Sequence, residues 1–497
     1  MTGHVSSDNG SGEREHGASI PKKPTLVAGL DEVLHGGLPV GRTTLVSGGP
    51  GSGKTVLGVE LLYRSALAGE PGIFISFEES PEAIRRNAGS LNLDLAALEE
   101  GEKLIILDGR IDPEVIRAGA FDIKALLAIL GGQSQALGAT FAVIDAIDGL
   151  LRLLDDPRLE REQLEILHDW LTKQDMTSVL TVKSSGERSE QTDYDFLDYM
   201  VDCVIKLDQR VDGQISTRRA RVLKYRGSSY DRNEHPFAIT EQGIRFVPVT
   251  SVRLRHAASD EILSSGNTQI DQMLGGGLVR SSTILISGAS GTGKTSLAAT
   301  IAQAACEREE RVLYMQFEEA ARTMISRMLS PGIDLRPAIE AGLLRIEATM
   351  PEAIGVEEQL IYILQAIEEF DPSIIVIDAI TAISRMSSPE AAFAFLVRLI
   401  DLCKRDGISC VLTHQAQQIT ERSQIGAMGI ASLLDTVIFL EYEEVDNVFY
   451  RTMLVLKSRG MSHSNRRHRF EITDSGVSVE FHGSGGPESG QGGAPDG

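Results

Sequence analysis

Two phosphate-binding loops constrain this chain more than any other feature of its sequence. Residues 48–55 (GGPGSGKT) and 288–295 (GASGTGKT) both match the P-loop pattern G-x-x-x-x-G-K-[ST]. Each motif stands between a short apolar run and a helical pattern, at 44–47 and 56–67 in the first case and at 284–287 and 296–305 in the second. In that context the glycines let consecutive backbone N–H groups surround phosphate oxygens at a helix N-terminus. A ligand-free glycine turn explains two complete motifs less well, so we expect two nucleotide sites.

The P-loop pattern also assigns roles to individual residues. The lysine of each loop is expected to reach the β- and γ-phosphates of ATP, and the threonine hydroxyl to bind Mg²⁺. The predicted ATP-binding residues of the first loop are Gly48, Gly51, Ser52, Gly53, Lys54, Thr55 and Val56. Those of the second loop are Ser290, Gly291, Thr292, Gly293, Lys294, Thr295 and Ser296.

Composition and charge narrow the class of protein. Apolar residues make up 42% and charged residues 24% of the chain, which is close to the globular average and permits a sizeable core. No apolar run is long enough to cross a membrane, and the polar N-terminus lacks the apolar centre of a signal peptide. The cysteines have no C-x-x-C spacing, so we predict reduced thiols and a cytoplasmic location. The net charge of −22 weighs against a broad basic surface for nucleic acid, although an acidic protein can carry a local basic channel.

The chain contains one domain twice. Three landmarks follow each P-loop helix in the same order: a strand ending in paired acids (78–79 and 318–319), a strand ending in aspartate (Asp145 and Asp378) and a basic strand (222–227 and 455–460). Their spacing is nearly the same in both halves, which indicates an internal duplication.

Each copy is predicted to be an α/β domain. Short apolar strands alternate with helices, which favours a largely parallel sheet with helices on both faces. The P-loop and the acidic strand ends would then share the carboxyl edge of the sheet, where open α/β sheets bind ligands. The predicted order is a disordered tail at 1–19, a first domain at 20–247, a linker at 248–260, a second domain at 261–482 and a flexible glycine-rich tail at 483–497.

The aspartates at the strand ends are candidate metal ligands. Asp145 and Asp378 are predicted to hold Mg²⁺ opposite Thr55 and Thr295. The alternative is an ordinary aspartate that caps the next turn, and the preceding P-loop favours the metal. Neither aspartate is followed directly by a second acid, so the catalytic base must lie elsewhere.

The paired glutamates supply that base. We expect Glu78 and Glu318 to orient the attacking water or accept a proton. Their neighbours Glu79 and Glu319 would orient them. An acid at a helix N-terminus is the alternative for Glu79, because the run Glu-Ser-Pro-Glu is typical of a capped helix, and both interpretations can hold together.

Basic pairs on the last landmark are further candidates. Lys224 and Arg226 alternate along one strand, as do Lys457 and Arg459, so each pair shares a face. Two cations on one face suit a γ-phosphate, in the same chain or in a neighbouring one. The alternative is a solvated edge strand whose charges prevent aggregation. Recurrence in both copies favours phosphate binding.

In this order of motifs the chain resembles the KaiC family, the tandem RecA-like ATPases of the cyanobacterial clock. The resemblance runs from about residue 24 to residue 481 and rests on the doubled P-loop, paired acids, strand-end aspartate and K-x-R-G strand. It implies two RecA-like P-loop domains in a double-ring homohexamer, with ATP bound between neighbouring subunits. The first ring would be a slow ATPase, and the second an autokinase and autophosphatase.

The resemblance also implies roles for individual positions. Glu78 and Glu318 fall on catalytic glutamates, while Thr55, Thr295 and Glu318 fall on Mg²⁺ positions. The positions that contact nucleotide from an adjacent subunit in the first ring are Ser90, Lys224, Tyr225, Arg226, Ser228, Tyr230, Thr240 and Glu241. Those of the second ring are Arg451, Lys457, Ser458, Arg459, Met461, Ser462, His463 and Asn465, of which Met461 and Asn465 differ in chemistry from the usual residues.

The departures from the family concern phosphorylation and partners. Where the family has a Ser-Thr acceptor pair, this chain has Ala431 and Ser432, and a third hydroxyl position is Gly426. We therefore expect a serine kinase that phosphorylates only Ser432, without the two-site cycle. The glycine-rich tail lacks the extension that recruits KaiA, so we do not expect KaiA as a partner. A KaiB-like protein or another signalling protein remains compatible with a signalling or timing role.

Two other functional classes share the P-loops. A DNA-dependent recombinase or helicase of the RecA fold would need a basic inner surface, and the best basic cluster is residues 466–469 beside the nucleotide motif. A nucleotide-dependent scaffold would bind ATP without hydrolysing it, and the paired glutamates argue against that loss. We expect neither nucleic acid nor membrane as a partner.

Overall fold

The computed structural model describes residues 20–110, 123–152, 154, 156–184, 195–212, 215–249, 259–349, 355–386, 388–416 and 432–480. The chain divides into two compact units between residues 250 and 251. Both predicted tails lie outside the described residues, as do residues 250–258 of the predicted linker, Gly426 and Ala431. The finer domain bounds therefore stay predictions.

The described residues of the first unit form eleven strands and eight helices. The strands are β1 Lys22–Lys23, β2 Leu38–Pro39, β3 Thr43–Gly48, β4 Gly72–Ser76, β5 Leu104–Asp108, β6 Phe141–Asp145, β7 Thr177–Lys183, β8 Cys203–Asp212, β9 Ile215–Tyr225, β10 Glu234–Thr240 and β11 Gly243–Phe246. The helices are α1 Leu30–Val33, α2 Lys54–Leu67, α3 Pro81–Gly89, α4 Leu95–Glu100, α5 Ile123–Leu137, α6 Ile147–Leu151, α7 Pro157–Lys173 and α8 Asp195–Met200.

The second unit repeats this order. Its strands are β12 Ile262–Leu263, β13 Leu278–Val279, β14 Thr283–Gly288, β15 Val312–Gln316, β16 Leu344–Ala348, β17 Ile374–Asp378, β18 Ser409–Gln415, β19 Thr436–Val445, β20 Val448–Ser458, β21 His468–Thr473 and β22 Gly476–Glu480. Its described helices are α9 Thr268–Met273, α10 Lys294–Glu307, α11 Ala321–Met328, α12 Arg336–Glu340, α13 Val356–Phe370, α14 Ile380–Met386 and α15 Pro389–Arg405.

Each unit is built on a nine-stranded sheet, in the order β11-β10-β9-β8-β3-β7-β6-β4-β5 or β16-β15-β17-β18-β14-β19-β20-β21-β22. The strands from β8 to β5 run parallel, as do those from β16 to β19. The remaining three strands of each sheet are antiparallel. The predicted α/β class with a largely parallel sheet is confirmed, and the structure adds the antiparallel extension.

Alternation along the central strands places helices on both faces. In β3, Val46 packs in one apolar cluster with α2, α3 and α4, and Leu45 packs in another with α5, α6 and α7. Because successive side chains of a strand point to opposite faces, both must be apolar when both faces are covered. No helix in the described part of the chain combines the length and the apolar character of a membrane span.

A glycine precedes each P-loop helix at a position that needs its conformational freedom. Gly53 has φ +94° and Gly293 has φ +104°, and each is the N-cap of the helix that follows. Side chains other than glycine rarely adopt this backbone conformation. The turn therefore aims the first N–H groups of α2 and α10 at the carboxyl edge of the sheet.

Candidate functional site

The first unit gathers its P-loop, its strand-end aspartate and its glutamates at one edge of the sheet. Strands β3, β4 and β6 all end there, because they run parallel. The Lys54 ammonium donates to the carbonyls of Gly48 and Gly49, at 2.8 and 2.9 Å. Burial lowers the pKa of Lys54, and the nearby charges of Asp145 and Asp148 oppose that shift. The lysine thus sits inside the loop that it would leave to meet phosphate.

The candidate metal ligands of the first unit touch each other. Thr55 Oγ1 donates to Asp145 Oδ2 at 2.9 Å, and Thr181 donates to the other carboxylate oxygen. Burial raises the pKa of Asp145, while these two hydroxyl donors act in the opposite direction. A hydroxyl beside a carboxylate is the oxygen chemistry that Mg²⁺ prefers, so the residues fit this ion. The described residues contain no cluster of three acids, histidines or cysteines, so phosphate and water would have to complete its coordination.

The paired glutamates stand just after β4, but their contacts differ. Glu78 forms an ion pair with Lys183 at the end of β7, and both side chains are 33% exposed. Glu79 accepts a hydrogen bond from Asn87 at 2.9 Å, and its own N–H donates to Ser76. The Glu79 carboxylate is therefore bound to the last turn of α3, whereas Glu78 faces the open edge.

The second unit repeats this site with different partners. Lys294 donates to the Ala289 carbonyl at 2.8 Å, and Glu319 lies 2.9 Å from Arg327. Glu318 lies 4.0 Å from Arg385.

The Asp378 carboxylate of the second unit has two hydroxyl donors. Thr413 donates to one oxygen, and the buried Tyr314 donates to the other at 2.9 Å. Thr295, the second unit's counterpart of Thr55, is half-buried and makes no hydrogen bond to Asp378 among the described contacts. The candidate metal ligands therefore have different partners in the two units, because the first unit has Phe74 where the second has Tyr314.

The K-x-R-G motifs, at the ends of β9 and β20, lie at the opposite edge of the sheet from the P-loop of their own unit. Lys224 pairs with Val204 of β8, and Val204 is level with Leu45 of β3. The P-loop begins at Gly48, about 10 Å further along that strand. Arg226 follows the end of β9 and lies farther from the loop. Neither side chain approaches the nucleotide edge of its own unit.

Backbone carbonyls hold these cations in place. Lys224 donates to Val201 at 2.7 Å, and Arg226 donates to Tyr199. In the second unit, Lys457 donates to Leu434 at 2.6 Å, and Arg459 lies 3.7 Å from Asp435. Lys457 is likewise level with Leu285 at the start of β14, away from its own P-loop. Ser458 completes β20 beside it.

Three of the residues predicted to contact nucleotide from this region form hydrogen bonds within their own unit. Tyr225 is buried, and its hydroxyl donates to Gly37 at 2.8 Å, so its side chain is not available at the surface. Tyr230 donates to Leu223 at 3.0 Å, and Ser228 donates to the Ser229 carbonyl. Ser228 and Tyr230 are both half-buried.

Thr240 and Glu241 belong instead to the P-loop side of their own unit. They stand at the turn between β10 and β11, one residue beyond Ile239, which packs against Gly53. Asn92 donates to the Glu241 carbonyl at 2.9 Å and so brings the segment that follows Ser90 to the same place. This placement differs from the expectation that an adjacent subunit contributes these residues, since it favours the nucleotide of their own unit.

Arg451 is also close to its own P-loop. Its Nε donates to the Gly291 carbonyl at 3.1 Å, and Arg218 makes the matching contact with Gly51 at 3.5 Å. Sequence reasoning missed Arg218. The signal was present, because Arg218 and Arg451 precede Lys224 and Lys457 by the same number of residues.

The remaining second-unit positions lie in the segment between β20 and β21. Met461 and His463 are half-buried, whereas Ser462 and Asn465 are exposed. The segment is anchored where the Ser464 N–H donates to Met273 at 2.8 Å.

Ser432 is exposed and lies four residues before the first residue of β19. Thr436, the first residue of β19, is level with Ile284 at the start of β14. Ser432 therefore lies at the same edge as Lys457 and away from the P-loop of its own unit.

The basic cluster does not form an uncompensated patch. Arg467 lies 2.9 Å from Glu441, Arg469 lies 2.8 Å from Glu471, and His468 is buried. These acids neutralise much of the charge that a nucleic-acid surface would need.

Comparisons with known proteins agree with this geometry. The sequence matches the family described as "ATPase: KaiC" over residues 23–251 and again over 263–484. It is 38% identical to the circadian clock protein KaiC2 of Synechocystis sp. over 467 residues, which cover 93% of this chain and 82% of that protein. It is 34% identical to the circadian clock oscillator protein KaiC of Synechococcus elongatus over 478 residues, which cover 96% and 92%. A similar protein from Parathermosynechococcus lividus is 34% identical over 474 residues, which cover 95% and 88%.

Proposed function

Because the chain belongs to the KaiC family of ATPases, we propose that it binds Mg-ATP in both units and hydrolyses ATP slowly in the first. The same proposal has it assemble as a double-ring homohexamer, with each nucleotide between two subunits. The observation that supports it is the division of catalytic groups between two edges of each sheet. Lys54, Thr55 and Glu78 lie at one edge, and Lys224 and Arg226 lie at the other.

In this proposal each residue of the first unit's site has a separate role in hydrolysis. The P-loop N–H groups bind phosphate oxygens, and Lys54 exchanges its carbonyl partners for the β- and γ-phosphates. Thr55 and Asp145 would hold Mg²⁺, which when bound screens the negative charge of the phosphates. Glu78 orients the attacking water and accepts its proton. Lys224 and Arg226 do not reach the P-loop of their own unit, and a neighbour in the ring would supply these two cations to the γ-phosphate.

Assembly tests the ring directly. A nucleotide shared by two subunits favours the assembled state by mass action. Light scattering should give a hexamer for the parent protein at saturating ATP and Mg²⁺, and a smaller species for Lys224→Ala combined with Arg226→Ala. Lys103→Ala, which removes an exposed lysine on a surface turn, is the matched control and should assemble like the parent. A parent that stays monomeric under these conditions would contradict the proposal.

We also propose that the second unit phosphorylates Ser432. Ser432 is exposed at the edge that, in a ring of this kind, faces the nucleotide of the next subunit. Glu318 would accept the serine proton while the γ-phosphate is transferred. Phosphoryl transfer depends chiefly on positioning, so one acceptor in place of a pair should give one phosphorylated state.

Mass spectrometry after incubation with Mg-ATP tests this assignment. The parent should carry one phosphate on Ser432, whereas Ser432→Ala and Glu318→Gln should carry none. Phosphate that persists in Ser432→Ala, or that never forms in the parent, would remove Ser432 from the mechanism.

The wider role follows from the same proposal. We assign the protein to the cytoplasm, with a signalling or timing role that a KaiB-like protein or another signalling partner reads. KaiA and nucleic acid are not part of this proposal. ATP turnover that requires DNA would favour the recombinase class, and ATP binding without turnover would favour a scaffold.

A further inference from the structure

Lys183 stands beside the first P-loop at a position where the second unit has no charge. It ends β7 and pairs in register with Gly48, the first residue of the loop. The next N–H, that of Ser184, donates to the Gly48 carbonyl at 3.1 Å. The matching residue of β18 is Gln415, which pairs with Gly288 in the same way. The fold therefore places this side chain at the phosphate edge in both units, and only the first unit makes it a cation.

The surroundings of Lys183 fix its backbone but leave its side chain partly open. Its N–H donates at 3.0 Å to Asp148, whose side chain is fully buried. Its ammonium forms the ion pair with Glu78, and each of these side chains is 33% exposed. An ion pair this accessible to water contributes little free energy, so an anion of higher charge can replace the Glu78 carboxylate.

Lys183 also lies close to the P-loop lysine. Burial is the main cause of the lowered pKa of Lys54, and the Lys183 charge adds to it. Two ammonium groups that repel each other at one edge form a site for an anion, because an anion between them relieves the repulsion. The γ-phosphate carries more charge than a carboxylate and accepts hydrogen bonds from both cations.

We propose that Lys183 is a second phosphate-binding cation of the first unit, which holds Glu78 before ATP binds and exchanges it for the γ-phosphate. This inference rests on the proposed binding and hydrolysis of ATP by that unit. The exchange frees the Glu78 carboxylate for the attacking water at the moment when the substrate is present. ADP has no γ-phosphate and leaves the Lys183–Glu78 pair intact. Lys183 thus makes the first unit distinguish ATP from ADP in a way that Gln415 does not permit in the second.

The test compares two nucleotides in the full-length chain. All variants carry Lys294→Ala, so that binding and turnover report the first unit. Lys183→Gln copies the second unit and should weaken binding of the non-hydrolysable analogue AMP-PNP about tenfold, since a charged hydrogen bond is lost. ADP affinity should stay within about twofold, and ATP turnover should fall at least about tenfold. Lys183→Arg keeps the charge and should restore AMP-PNP affinity.

The control is Lys173→Gln, which removes an exposed lysine at the end of α7 and should match the parent in both affinities. Equal weakening of ADP and AMP-PNP by Lys183→Gln would overturn the inference, as would no weakening of either. A parent with Lys294→Ala that binds AMP-PNP but does not turn over ATP would instead refute hydrolysis by the first unit. The two failures are therefore distinguishable.

Discussion

The two units share one fold, but the glutamates that we propose as bases lie beside different cations. Glu78 pairs with Lys183, whereas Glu318 stands 4.0 Å from Arg385. The approach of Arg385 to Glu318 depends on the residue one helix turn before Arg385. In the first unit, Asp148 binds Arg152 at 2.5 Å.

The matching residue of the second unit is Thr381, which has no charge to hold Arg385. Arg385 is 60% exposed and turns towards Glu318. A change from aspartate to threonine in α14 thus alters the cation beside the base without altering the sheet. Duplication preserved the elements, while single substitutions at the sheet edge changed the contacts of the paired glutamates.

The largest expected effect concerns the base of the first unit. With Lys294→Ala in the background, Glu78→Gln should lower ATP turnover about 100-fold, because general-base catalysis is lost. ATP affinity should change by no more than about threefold, since the residue acts on water and not on phosphate. Steady-state turnover and equilibrium nucleotide binding check both numbers. Glu79→Gln is the comparison, and its effect should be under about tenfold, because Asn87 holds that carboxylate against α3. Equal losses of ATP turnover in Glu78→Gln and Glu79→Gln would contradict the assignment of Glu78, and not Glu79, as the base.

A smaller effect is expected at Asp148. Asp148→Asn weakens the contact with Arg152 and the acceptor for the Lys183 N–H, so the first unit should lose about 1–3 kcal/mol of stability. Thr381→Ala removes only the acceptor for the Gln415 N–H and should cost the second unit about 1 kcal/mol. Urea unfolding monitored by peptide-level hydrogen exchange separates the two units. Asp169→Asn, on the exposed side of α7, is the control for a surface change. A greater loss in Thr381→Ala than in Asp148→Asn would contradict the comparison.

The smallest effect is expected at the tyrosine that only the second unit has. Tyr314→Phe copies Phe74 and leaves one oxygen of Asp378 without its donor, which should cost about 1 kcal/mol. Thr295 is then expected to take the position that Thr55 has, so Mg²⁺-dependent ATP binding should be kept. Tyr362→Phe, which removes a partly exposed hydroxyl from Glu347, is the matched control and should cost less. An unchanged unfolding midpoint in Tyr314→Phe would show that this hydrogen bond makes no net contribution to stability.

Local pattern was enough to predict the P-loops, the strand-end aspartates and the duplication. The two strands predicted to end at Asp145 and Asp378 both form, as Phe141–Asp145 and Ile374–Asp378. These features are local, because an apolar run and a glycine motif report the conformation of their own segment.

The contacts that distinguish the units could not be predicted in this way. Lys183 and Glu78 are 105 residues apart in sequence, and only the order of β3, β7, β6 and β4 brings their strand ends together. The position of Lys224 likewise depends on the pairing register of β8 and β9, which shifts between Val204 and Ile205. Strand order and register are set by the whole core, so a single segment does not encode them.

Mixing two inactive variants tests most directly whether the first unit's site is shared between subunits. One variant carries Glu78→Gln and keeps Lys224 and Arg226, while the other carries Lys224→Ala and Arg226→Ala and keeps Glu78. Both also carry Glu318→Gln to silence the second unit without removing its nucleotide. Each variant alone should be nearly inactive. Where light scattering shows that the two variants assemble together, an equal mixture should recover up to about one quarter of the parent's turnover, because a quarter of the interfaces would join an intact base to an intact neighbour. Turnover of the mixture that equals the mean of the two variants would show that each site lies within one chain.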